Sequence, residues 1–172
     1  LTHVAGEITV HHNPSLKTLD GLDNLQVVGQ DLVLLNLEQL NGTFLEALES
    51  IGGDFGIQGC HTIANLEGLS ALRSIGGGII FYDNQGLVNF AGLHSLNQLE
   101  GSLVLHNHHA LENLDGLNAL THIGSEVELF GNTRINDVMA LSSLSTIGSH
   151  IRFENNENLS SCQLEAMLDE IG

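Results

Sequence analysis

The 172-residue chain is long enough to bury one sizeable core, and it sets 21 Asp and Glu against four Lys and Arg, for a net charge of −17. That charge repels phosphates over the whole surface, which argues against nucleic acid and anionic membranes as partners. No run of eighteen apolar residues suggests a membrane span, and Cys60 and Cys162 are too few to make a disulfide framework.

One unit organises the chain. Val4, Val28, Ile51, Ile75, Leu99, Ile123 and Ile147 recur at spacings of 24, 23, 24, 24, 24 and 24 residues, each with a glycine one or two places on. A period of that size marks stacked supersecondary units. Each is followed by an alternating pair: Ile8/Val10, Leu32/Leu34, Phe55/Ile57, Ile79/Phe81, Leu103/Leu105, Val127/Leu129 and Ile151/Phe153. Alternation in so short a run predicts a strand, and its repetition predicts a parallel sheet with about 4.8 Å between strands. The architecture expected is mainly β, a parallel β-solenoid of about seven 24-residue rungs over residues 1–159, closed by a short helix over 160–172.

Nine residues after each starting position stand Asn13, Cys60, Asn84, His108, Asn132 and Asn156, with Asn36 a place early. A second polar column follows at Thr18, Asn41, Asn65, Asn89, Asn113, Asp137 and Ser161. Both are read as corners, since Asn and its relatives hydrogen-bond the backbone of their own turn and tolerate the left-handed region. The glycines at 21, 68, 92 and 116, and at 29, 52, 76, 124 and 148, are expected where a backbone conformation or close approach excludes a Cβ. The second unit is read as a residue short before Asn36, with Leu40 off its column, which predicts a bulge over Leu37 to Thr43.

Leu1 already occupies the apolar column ahead of Val4, so the chain is expected to be part of a longer polypeptide. At the other end Ser160-Ser161-Cys162-Gln163 resembles a capping box, and Leu164, Met167, Leu168 and Ile171 follow at helical spacing. Cys60 and Cys162 lie four rungs apart, roughly 19 Å, too far for a bond that needs about 6 Å.

The outward strand positions carry the functional expectation. Val33, Leu35, Ile80, Tyr82, Val104 and Phe130 form an apolar patch with His106 inside it. A solvated sheet face would be polar, so this patch is read as a partner surface. The face ends in Glu126, Glu128, His150, Arg152 and Glu154, where two carboxylates on adjacent rungs suit either a solvated charged edge or a glycosidase pair. Ten histidines, including His11-His12 and His106-Asn107-His108-His109, are read as scattered. Asn41-Gly42-Thr43 and Asn158-Leu159-Ser160 match the glycosylation sequon. No nucleophile elbow, phosphate loop or zinc spacing occurs, so no catalytic, cofactor or metal residue is assigned.

The unit Ile-Gly-Gly-x-Ile-x-Phe-x-x-Asn-x-x-Leu-x-x-Phe-x-Gly-Leu-x-x-Leu at 75 to 96, with Leu-Glu-Asn-Leu-Asp-Gly-Leu at 111 to 117 and Leu-Lys-Thr-Leu-Asp-Gly-Leu at 16 to 22, resembles the receptor L domain. This is the leucine-rich, right-handed β-solenoid module of the insulin and epidermal growth factor receptors and of microbial surface proteins. The resemblance implies an extracellular or cell-surface, non-enzymatic recognition or adhesion module. Its ligand would be a protein or peptide, or a glycan, held on a sheet face. The receptors' contact residues have no counterparts here position by position. A polysaccharide-binding or polysaccharide-cleaving β-helix, an ice-binding surface and a structural spacer are the alternatives.

Overall fold

The computed structural model describes residues 1–42 and 44–171, with Ile171 described by its backbone alone. In it the alternating pairs lie on four-residue strands: Ile8–His11, Leu32–Leu35, Phe55–Gln58, Ile79–Tyr82, Leu103–His106, Val127–Phe130 and Ile151–Glu154. Among the described residues these form one seven-stranded parallel sheet in sequence order. The register is uniform, so Leu103 stands between Ile79 and Val127, and Val104 between Ile80 and Glu128. Each inward column is therefore continuous apolar surface.

A second sheet runs beside it, built from the two-residue strands His3–Val4, Val27–Val28, Ser50–Ile51, Ser74–Ile75, Gln98–Leu99, His122–Ile123 and Thr146–Ile147. The sequence reading places only one strand in each unit, because two residues are too few to display a period. Glycine-containing segments between the short and the long strands form the bend between the sheets, and the whole is a β-solenoid of about six turns. A Cβ on Gly52 or Gly76 would overlap the carbonyl of Gly29 or Gly52 on the rung before. Gly92 is doubly constrained, with φ of +114° and the Leu66 carbonyl where its Cβ would be. The core between the sheets and the apolar turns includes three packed rings: Phe55 and Phe81 meet edge to face at 5.1 Å, and Phe81 stacks on Phe90 at 5.8 Å.

After each long strand one residue adopts positive φ: His12, Asn36, Gly59, Asp83, Asn107, Gly131 and Asn155. Every member except histidine is a residue type that commonly enters the left-handed region, and histidine is enriched there too. Asn36 thus stands in register in this column, and Leu37 occupies the position after it. Leu40 also keeps its column, donating its N–H to the Leu37 carbonyl as Leu16 does to Asn13 and Leu87 to Asn84. The missing residue falls later, between Leu40 and Leu45, where Leu45 enters the left-handed region at φ 56°. The predicted irregularity is therefore displaced toward the end of its range. Thr43, the last residue of that range, lies outside the described residues.

The C-terminal helix spans Ser161–Ile171 and packs on the short 3₁₀ turn Met139–Leu141. Ser160 Oγ accepts the Gln163 N–H at 3.3 Å, as an N-cap should. Met167 is buried and Leu164 packs against the core, whereas Leu168 faces solvent. The expected apolar stripe is thus narrower than four residues, and the Ile171 side chain and Gly172 lie outside the described residues. Ser160→Ala should lower stability by about 1 kcal/mol, or roughly 2–4 °C in a thermal melt followed by circular dichroism. An unchanged melt would mean that the cap contributes nothing.

Candidate functional site

The side chains that alternate with the core pairs face outward from the long-strand sheet. Val33, Leu35, Ile80, Tyr82, His106 and Phe130 are all half-buried, shielded sideways by their neighbours on adjacent rungs. Val104 is only 6 % exposed and offers almost no surface. The His106 ring lies between Tyr82, edge to face at 5.1 Å, and Phe130, tilted at 5.6 Å. These three rings form a continuous aromatic strip over rungs four to six. The face is therefore sealed laterally, with no ridge of separate apolar knobs.

Its relief is concentrated on rung three. Gly56 has no side chain, so Val33 and Leu35 on one side and Ile80 and Tyr82 on the other become the walls of a notch of about 240 Å³. The flanking strands are two rungs apart, about 10 Å. Asp31 and Asp54 stand at one end, two residues ahead of Val33 and Gly56, while Gln58 lines the other. Asp31 Oδ1 accepts the Asp54 N–H at 2.8 Å, and Asp54 Oδ1 accepts the Gly78 N–H at 2.7 Å. Both carboxylates are thus oriented by the backbone. Gly56 itself is not demanded by the fold: its φ is not positive, and a Cβ there would find Val33 and the Ile80 carbonyl at 3.6–3.8 Å, ordinary van der Waals contact. The patch read from the sequence omits Gly56, and omits Asp31 and Asp54 because they precede the alternating run.

The polar columns are structural. Asn84 Oδ1 accepts the Cys60 N–H at 2.9 Å, and Asn84 Nδ2 donates to the Ile57 carbonyl at 2.9 Å. Asn132 repeats the pattern with His108 N–H and the Leu105 carbonyl, and Asn156 with Asn132 N–H and the Leu129 carbonyl. His108 takes an Asn position by accepting the Asn84 N–H on Nδ1 at 3.1 Å. Its Nε2 is buried and, among the described residues, makes no well-formed hydrogen bond. Burial lowers the His108 pKa to about 4, tempered by the Asn84 and Phe81 backbone and by Asp83, while His106 lowers it further. Cys60 fills another such position, its thiol pushed up by burial despite the Leu37 N–H beside it. In the second column Asn65, Asn89, Asn113 and Asp137 each accept the N–H two residues on, at 2.8–3.3 Å. These are Asx turns.

At the charged end Arg152 bridges Glu154, Nε to Oε1 at 2.8 Å, and Glu128 at 3.5 Å, and His106 Nε2 lies 3.6 Å from the other Glu128 oxygen. The 3.6 Å approach is too long for a hydrogen bond. Arg152 is exposed, and such pairs contribute little to stability. His11 and His12 contact each other, Nδ1 to Nδ1 at 3.0 Å, and His12 Nε2 reaches Asn36. Among the described residues no three His, Cys, Asp or Glu side chains converge as metal ligands. Cys60 is buried and Cys162 exposed, both as free thiols. Asn158 of one sequon is exposed, while the Asn41 sequon lies partly outside the described residues at Thr43.

Fold and face together define a parallel β-solenoid with one notched apolar sheet face. Compared with known proteins, the chain matches no protein-family model, no curated protein and no solved structure. The resemblance to the receptor L domain rests on the repeat formula alone.

Proposed function

We propose that the chain is a recognition module, of the receptor L-domain kind and working at a cell surface or outside the cell, which binds a protein or peptide segment on the outward face of its long-strand sheet. The observation that carries this reading is the notch over Gly56, a glycine in mid-strand that the backbone does not require. A mid-strand glycine marks a bulge, a tight bend or close approach by a ligand or another backbone, and the unbroken register of Phe55–Gln58 with both neighbouring strands leaves no bulge at Gly56. Seven strands of four residues span about 30 by 13 Å, roughly half the area of one side of a standard protein interface. A face of that size suits a loop or peptide better than the broad surface of a globular partner.

A random heptapeptide library displayed on phage and panned against the intact chain tests this. Gly56→Val fills the notch with a side chain that strands favour, and Tyr82→Arg with Phe130→Arg adds charge along the aromatic strip. Enriched peptides should bind the parent saturably and lose at least tenfold in affinity to both variants, with thermal melts confirming that each variant is folded. Peptides that bind all three proteins equally, or the absence of saturable binding, would overturn the reading.

A further inference from the structure

Resting on that reading of the face, we infer that the notch takes one cationic side chain, a lysine or arginine of the bound segment, with its stem over Gly56 and its charged end at Asp31 and Asp54. Three observations converge. The cavity of about 240 Å³ is below the ~300–1,000 Å³ typical of small-molecule pockets, which fits a single side chain. Its walls are apolar along the length of rung three, through Val33 and Ile80, and acidic only at the end where Asp31 and Asp54 stand. Lysine and arginine have that same division, an apolar stem and a charged tip.

The dimensions agree. From Gly56 to Asp54 is two strand residues, about 7 Å, which an extended lysine or arginine side chain spans. The two carboxylates stand on neighbouring rungs, so a cation between them relieves their mutual repulsion. Oδ1 of each is committed to a backbone N–H of the next rung, which fixes the carboxyl plane. On rung four the matching position is Gly78, whose missing side chain leaves the acidic end of the notch unwalled. The net charge of −17 adds long-range attraction for a basic partner.

Asp31→Asn with Asp54→Asn removes both charges while keeping the Oδ1 acceptors that hold the backbone, so the fold is expected to survive. The probe is the pool of heptapeptides enriched on the parent chain. The expected result is a lysine or arginine fixed at one position of the pool. Affinity should fall at least tenfold in the double variant and at least tenfold when that residue is replaced by alanine, and it should weaken with salt. Peptides that lose affinity to Gly56→Val but carry no fixed basic residue, and bind the Asn variant undiminished, would overturn the inference while leaving the face reading intact. Peptides indifferent to Gly56→Val and to the Tyr82/Phe130 variant would overturn both.

Discussion

Asn132→Leu is expected to lower stability by about 2–4 kcal/mol, although it replaces a polar side chain with an apolar one of similar size in an apolar interior. Asn132 is fully buried. Its Oδ1 is the partner of the His108 N–H, and its Nδ2 donates to the Leu105 carbonyl at 2.8 Å. Leucine can supply neither bond. A buried amide left without an acceptor costs about 1–3 kcal/mol, and the lost donor bond roughly another 1 kcal/mol. For a chain of this size that is roughly 5–15 °C in thermal midpoint. Asn13→Leu is the control: Asn13 is exposed and its side chain donates to the His11 carbonyl at 2.9 Å, so the change should stay within about 0.5 kcal/mol. Equal losses for the two variants would show that the buried ladder has no special energetic role.

The second large effect is on acid stability, and His108 is its source. Its native pKa of about 4 lies below the ordinary 6.5. Between those values the unfolded chain binds a proton that the native chain does not, so stability rises with pH across the window. The contribution is fully present above pH 6.5, falls as the pH drops toward 4, and is gone below it. The interval corresponds to about 3 kcal/mol. Protonation is resisted because burial disfavours the charged ring, and the Asn84 and Phe81 backbone offset that only in part. Asp83 favours the charged form and His106 opposes it, both weakly beside burial.

His108→Asn keeps the acceptor and adds a donor aimed at the Phe81 carbonyl, by analogy with Asn84, Asn132 and Asn156. Denaturation at pH 7 and pH 4 should therefore show a stability gap about 3 kcal/mol smaller in the variant than in the parent. Titration of the 21 carboxylates is common to both proteins and cancels in that difference. An unchanged gap would mean that His108 protonates freely in the folded state.

Much of this architecture was legible because the repeat imposes itself on every rung. Pairs such as Ile79/Phe81 and Leu103/Leu105 alternate cleanly, and a period of 24 residues forces them into one column. The two-residue strands were not legible, since Ser74–Ile75 or Gln98–Leu99 is too short to show a pattern. The left-handed column was in plain sight as His12, Asn36, Gly59, Asp83, Asn107, Gly131 and Asn155, but Asn36 was assigned to the neighbouring column and the regularity was missed. The apolar outward face follows from strand parity. Which of its members offer surface does not: Val104 is covered by side chains from both adjacent rungs, and the notch arises from a side chain that is absent. Column reading registers what residues present, and Gly56 presents nothing.

The ladder of corner side chains has a direction. Cys60 N–H is capped by Asn84, Asn84 by His108, His108 by Asn132 and Asn132 by Asn156, always by a residue 24 positions later. During synthesis, then, every such amide is made before the atom that will satisfy it. At roughly 5–20 residues per second, each newborn turn waits about one to five seconds for its successor. The solenoid is consequently a structure in which the newest completed coil is always provisional, and assembly proceeds by each coil locking the one before it.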